Sequence, residues 1–237
     1  MLTDSERKLR NTLGYSWSQK LGEVMSREGV KSVARSVNAR RKANKVKVLP
    51  SRKDTFRALK LTSFEDTKVV IIGPEPFDNE HFADGLAFSS VDIFDAPEVA
   101  KNVQRAVIAN VYKGKPQDEA FIDTNLQRWS EQGVLLLNVC LTTEEGAEFA
   151  HQKLGWEEFT SEVLKCLIED EEPRVFMTWG MTAKNLLQIA INKIEAKEFP
   201  HLFLESPSPL EGEFLATTDF TDANEFLLKN QGVEIEW

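Results

Sequence analysis

The 237-residue chain has only two cysteines, Cys140 and Cys166. Two thiols, each in an apolar stretch, make no disulfide framework and no cysteine metal site, and their expected burial as free thiols points to a reducing compartment. No apolar run approaches the roughly 20 residues that a membrane-spanning helix requires. The opening Met1-Leu2-Thr3-Asp4-Ser5-Glu6-Arg7 lacks the apolar core of a secretion signal. These absences predict an intracellular protein, of the cytoplasm or, in a eukaryotic or virus-infected host, of the nucleus. There is no internal repeat and no low-complexity tract, and nothing in the chain calls for a cofactor or a bound metal.

What is present begins with charge. Net charge is −9, but residues 1–60 hold 16 Lys and Arg against 5 Asp and Glu, while residues 61–237 hold the other 13 against 33. A basic segment attracts phosphate and an acidic body repels it. The expected organisation is a basic N-terminal helical segment, 1–60, packed on or extending from an acidic core, 61–237, within a single domain. Arg40, Arg41 and Lys42, followed by Lys45 and Lys47, have no aromatic residue between them. Phosphate contact is therefore expected there rather than base stacking, and docking to an acidic protein stays open.

Short β-branched and leucine runs predict buried strands at 68–72, 134–138, 174–179 and 201–205. Helical spacing predicts helices over 97–112, 119–132, 155–169, 181–194 and 221–229, the last capped by Thr221 or Asp222, with a shorter helix over 30–37. Strands alternating with helices imply an α/β fold: three layers, α/β/α, around a mainly parallel four-stranded sheet. Ligands of such sheets bind beyond the carboxyl ends of the strands. That topology gathers Gly73–Asp78, Asn138–Thr142, Gly180 and Ser206–Leu210 in one place.

The residues at those strand ends resemble one family. Gly73-Pro74-Glu75-Pro76-Phe77-Asp78, then Gly85-Leu86-Ala87-Phe88-Ser89, keep the spacing of the Gly-Gln-Asp-Pro-Tyr-His and Gly-Leu-Ala-Phe-Ser motifs of family 1 uracil-DNA glycosylases. Leu135–Asn138, Gly155-Trp156-Glu157-Glu158-Phe159-Thr160, Trp179-Gly180 and Ser206-Pro207-Ser208-Pro209-Leu210 resemble further motifs in the family's order. The likeness spans about residues 10–230. It implies an enzyme that flips a nucleotide out of DNA and breaks the bond between sugar and base.

Carried over residue by residue, the resemblance implies base recognition by Pro74, Phe77, Phe88 and Asn138, and a DNA wedge at Leu210 supported by Ser208. It implies catalytic positions at Glu75, Asp78 and Ser206, all three altered. Glu75 stands for Asp and is one methylene longer, and a misplacement of about 1 Å can cost roughly 10²-fold. Ser206 stands for His and is a shorter, neutral donor. Pro74 stands for Gln and has no N–H to offer. Asp78 stands for His and adds negative charge. Acidic Glu211 and Glu213 follow the wedge.

The expectation is strongly impaired excision, with the protein acting as a nucleic-acid- or protein-binding factor in replication, transcription or repair, and with DNA binding weakened at the old site. The alternative is an active uracil-DNA glycosylase that uses Glu75 as its water-orienting carboxylate. His151, near a family histidine, is expected to be structural.

Overall fold

The computed structural model describes residues 3–92, 94–112, 123–195 and 198–237. Its centre is a four-stranded sheet in the order β3–β2–β5–β6, built from Val69–Gly73 (β2), Val134–Asn138 (β3), Val175–Trp179 (β5) and Leu202–Ser206 (β6). All three pairings are parallel, with Gly73 opposite Asn138 and Trp179 opposite Ser206. Successive side chains of a strand point to opposite faces, so a strand buried at every position is covered on both. β2, β3 and β5 are buried throughout, and β6 is the more open edge.

The covering helices include Glu98–Val111 (α5), Glu157–Ile168 (α7), Met181–Ile191 (α8) and Asp219–Gln231 (α9). The result is the expected three-layer α/β/α arrangement. Register places the carboxyl ends of all four strands along one edge of the sheet. A two-stranded antiparallel ribbon pairs Val48–Leu49 (β1) with Thr143–Glu144 (β4) and brings the chain after β3 beside the end of the basic segment.

The basic segment is helical over Asp4–Leu13 (α1), Tyr15–Leu21 (α2) and Glu28–Ala43 (α3). Its apolar residues belong to the common core: Leu13, Trp17 and Leu21 are fully buried, and Val30, Val33 and Val37 nearly so. The Trp17 indole N–H donates to the Thr62 carbonyl at 2.8 Å. α3 runs well beyond the expected 30–37. Its last turn holds Arg40, Arg41 and Lys42, and Asn44 ends it in the left-handed conformation. Cations in a last turn offset the negative end of the helix dipole, and asparagine tolerates that cap conformation.

Two other expectations need correction. α9 starts at Asp219 with Thr218 as N-cap residue, two residues before the expected start. Of the helix expected over 119–132, only Gln127–Glu131 (α6) is seen, and residues 119–122 lie outside the described residues. Cys140 is buried, and burial pushes its thiol up to about 12, whereas Cys166 is only partly covered. Among the described residues, no helix is long and apolar enough to cross a membrane.

Candidate active site

A cavity of about 340 Å³ opens at the carboxyl ends of the strands. Pro74, Glu75, Phe77 and Asp78 reach it from the β2 loop, and Phe88 from the following motif. Trp179, Gly180 and Met181 reach it after β5, and Ser208 and Leu210 after β6. The topology thus brings together most of the residues that the sequence singled out.

The Phe88 wall is held by a closed network. The loop Asp84–Ser89 turns through Gly85 at φ 88°, where an added Cβ would stand 2.2 Å from the Asp54 carbonyl oxygen. Only glycine fits that backbone without strain. Asp84 is 5% exposed, and its carboxylate accepts from the Leu86 N–H at 2.9 Å, the Ser89 hydroxyl at 2.7 Å and the Arg57 guanidinium at 2.8 Å. Phe88 itself takes a positive φ of 62°, rare for a residue with a side chain. Its ring lies 5.1 Å from that of Trp179.

Asn138, at the end of β3, is not among the residues that line the cavity; its amide lies close to Gly73, Ala87 and the Phe88 ring. Its side chain is 3% exposed, and Oδ1 has no hydrogen-bond partner among the described residues. An added Cβ at Gly73 would stand 2.6 Å from that Oδ1, 2.8 Å from the Ala87 Cβ and 3.3 Å from the Phe88 ring. Glycine at the end of β2 is therefore what lets amide and ring approach each other.

Glu75 is held by a segment that sequence reasoning missed. Its Oε1 accepts the Phe149 N–H at 2.6 Å, while Oε2 is buried without a partner among the described residues. Burial pushes its pKa up to about 7. The Phe149 N–H and the Thr143 hydroxyl oppose the rise, and the nearby Glu148 and Asp78 carboxylates add to it. Phe149 has φ 59° and is half-exposed at the cavity lip beside Glu148. The Gly146 N–H donates to the Asp78 carbonyl at 2.7 Å and ties this segment to the β2 loop. A lone phenylalanine in an acidic loop carries no sequence signal for such a role.

Ser206 does not line the cavity, contrary to its expected catalytic place. Its hydroxyl donates to Asp219 Oδ1 at 2.9 Å and pairs with the Thr217 hydroxyl at 2.8 Å. Asp219 also accepts the Trp179 indole N–H at 2.7 Å. The serine serves a buried network at the start of α9.

The basic cluster also lies away from the cavity lining. Arg40 faces Glu144 at 3.3 Å, and Arg41 donates to the Pro50 carbonyl and the Thr55 hydroxyl at 2.9 and 3.0 Å. Those two guanidinium groups tie α3 to the ribbon and to the following loop, and Lys42 remains exposed. His151 is fully buried between the Thr142 hydroxyl and Glu144, and burial lowers its pKa despite that carboxylate. It holds the ribbon and does not line the cavity.

The family model of the Uracil DNA glycosylase superfamily matches residues 59–228. The uracil-DNA glycosylase of Yersinia pestis (strain Pestoides F) is 34% identical over 224 residues, covering 94% of each chain. The chain belongs to the uracil-DNA glycosylase superfamily. Among solved structures, the mimivirus uracil-DNA glycosylase superposes with a TM-score of 0.82 at 20% identity, covering 99% of this chain and 90% of that one. A variant of the mimivirus enzyme in complex with UGI gives 0.80 at 20% identity, covering 94% and 87%. The strand-tip cavity of this fold has aromatic walls, the carboxylates of Glu75, Asp78 and Glu148, and the hydroxyls of Thr182 and Ser208.

Proposed function

We propose that this protein receives a base extruded from DNA in the strand-tip cavity and removes uracil only slowly, so that binding to DNA or to a replication, transcription or repair protein is its principal role. The observation that carries this reading is the Ser206 hydroxyl, engaged by Thr217 and Asp219 at 2.8 and 2.9 Å. Cleavage of the bond to uracil leaves negative charge on the departing base, and loss of one preorganised donor to such charge typically costs about 10²–10³-fold. Pro74 adds no N–H, and Asp78 and Glu148 add repulsion. These effects act on one developing charge and need not add.

In this reading Phe88 supplies the stacking face, Phe77 excludes a C5 methyl group, Asn138 reads the base edge, and Leu210, which is 70% exposed, enters the duplex with Ser208 behind it. The basic residues 1–60 are read as a packed part of the core rather than a free arm. Lys42 is the member of the Arg40, Arg41 and Lys42 cluster left to meet phosphate.

A second reading, an active glycosylase, is favoured by the unpartnered Glu75 Oε2, which is free to orient a water. One experiment separates the two. The protein is incubated with a uracil-containing single strand, and abasic sites are counted against Glu75→Ala between pH 6 and 9. Salt-sensitive binding, with release about 10⁴-fold or more below a typical family enzyme, supports impairment. Fast, Glu75-dependent release overturns it. In the active reading the carboxylate must be ionised, so the rate rises with pH through about 7 and levels above it.

A further inference from the structure

Several cations of the basic segment meet carboxylates: Arg7 pairs with Asp4, Arg27 with Glu162, Arg35 with Glu28 and Arg40 with Glu144. Past Arg41 the pattern changes. Residues 42–53 hold five Lys and Arg and no Asp or Glu. Lys47 pairs with Glu80. Lys42, Lys45, Arg52 and Lys53 are exposed and have no carboxylate partner among the described residues. Folding also brings like charges together there. Burial first, and then the Arg52 charge, lower the pKa of the Arg41 guanidinium. Positive charge gathered without internal anions attracts a polyanion from outside.

The strip borders a groove of about 520 Å³, whose lining includes Lys47, Lys53, Arg57, Glu80 and Val91. The carboxylates of the groove are already met. Lys47 pairs with Glu80, Arg57 with Asp84 at 2.8 Å, and the Ser51 hydroxyl donates to Asp54 at 2.7 Å. Lys53 is the cation left over. One stretch of chain, residues 74–91, lines both spaces: Pro74–Asp78, Leu86 and Phe88 face the cavity, while Glu80, Ala83, Asp84 and Val91 face the groove. The β1–β4 ribbon fixes the strip to that stretch. The Glu145 N–H donates to the Lys47 carbonyl at 2.9 Å, and the next residue, Gly146, donates to the Asp78 carbonyl. Beyond the wedge, by contrast, Glu211 and Glu213 are exposed and repel phosphate.

We infer that residues 42–53 and the adjoining groove hold the phosphate backbone of the DNA strand whose extruded base enters the cavity, as a track that continues past the stretch 74–91. The inference rests on the reading that the cavity receives such a base. Lys45, Arg52 and Lys53 supply the contacts, which neutralise phosphates and read no sequence. The strip contains no aromatic residue. It therefore offers no stacking face for bases, and it lacks the aromatic core that a protein partner would bury. A flexible strand of phosphates asks for charge alone, and charge is what the strip presents. The acidic wedge side then loses its grip on the strand without the protein losing its hold on DNA.

The test uses the full chain and single strands with one central uracil, about 5 or about 20 nucleotides long, lengths that bracket a typical single-strand site. Unmodified strands of both lengths serve as reference. Binding is read by fluorescence anisotropy between about 50 and 200 mM salt. The variant combines Lys45→Ala, Arg52→Ala and Lys53→Ala, at exposed positions without carboxylate partners, and should melt like the parent. On the long strand its slope of log affinity against log salt should be shallower by about two units, three contacts at about 0.7 each. On the short strand, which ends before the track, parent and variant should bind alike. An unchanged slope on the long strand overturns the inference, and so does an equal loss on both lengths. Polyaspartate that binds the parent and not the variant, with DNA bound alike by both, overturns it in favour of an acidic protein. In each of those cases an advantage of uracil-bearing over unmodified strands leaves the base-receiving reading standing. No such advantage in the parent defeats that reading, and the inference falls with it.

Discussion

On one side of the cavity, the loop Asp84–Ser89 is closed on itself. The buried Asp84 carboxylate meets a backbone N–H, a hydroxyl and a guanidinium, and both of its oxygens are used. At the ends of β2 and β3, Glu75 Oε2 and Asn138 Oδ1 are equally hidden from water and have no partner among the described residues. Folded proteins pair nearly all buried polar groups, and the exceptions mark strain, chemistry or a missing ligand. The closed side is scaffold, and in the proposed reading the open side is where an extruded base binds. Ser206 belongs with the scaffold, although the resemblance led to the expectation of a catalytic group there.

That contrast is breakable. Arg57→Ala attacks the closed side and gives the largest stability effect. It leaves Asp84 charged, buried and unpaired, and breaking a buried pair by removing one partner costs about 3–5 kcal/mol. Urea unfolding should show that loss, while Leu210→Ala, at an exposed tip, should unfold like the parent. Gly73→Ala attacks the open side. The added methyl would press on Asn138 and Ala87, and overpacking of this kind costs about 1–3 kcal/mol. Base binding should fall further than stability does, as titration with uracil-containing strands would show.

Glu75→Gln sharpens the comparison through pH. Glu75 binds its proton more tightly in the folded protein, near pH 7, than in the unfolded chain, whose value is near 4.5. Its contribution to stability is therefore largest below the unfolded value and is lost as pH rises through about 7. Thermal melts should show the parent losing stability between pH 5 and 8 relative to the Gln variant; parallel curves would contradict a buried, unmet carboxyl group. The smallest effect lies outside both sides. Lys42→Ala should flatten the salt dependence of DNA affinity by about one unit of slope, the share of a single phosphate contact. Arg41→Ala should act chiefly on stability.

Much of the fold was legible because strands buried on both faces announce themselves as apolar runs. Val69–Ile72 and Leu135–Leu137 are of that kind, and each is followed by a residue, Gly73 or Asn138, that ends the strand. The N-terminal helices were harder to read. Helix α1 carries a capping box, Thr3 with Glu6, which a search for helix starts would find. Phe77 and Phe88 were expected at the site through the resemblance. The holder of Glu75 was not, since Phe149 contributes a backbone N–H, a group every residue but proline possesses.

The residues themselves determined a parallel sheet with its strand tips at one edge, because hydrophobic pattern and glycine placement are local properties of the chain. They also determined which chemical groups stand at those tips. Tertiary structure alone decided where those groups point. The Ser206 hydroxyl faces Asp219 because the chain returns to it 13 residues later. The carboxyl of Glu75 is pushed up to about 7 because folding buries it, while the Phe149 N–H, 74 residues on, holds one oxygen and opposes the rise. Direction and desolvation arise from neighbours in space, and a linear order of residues does not specify which neighbours those are.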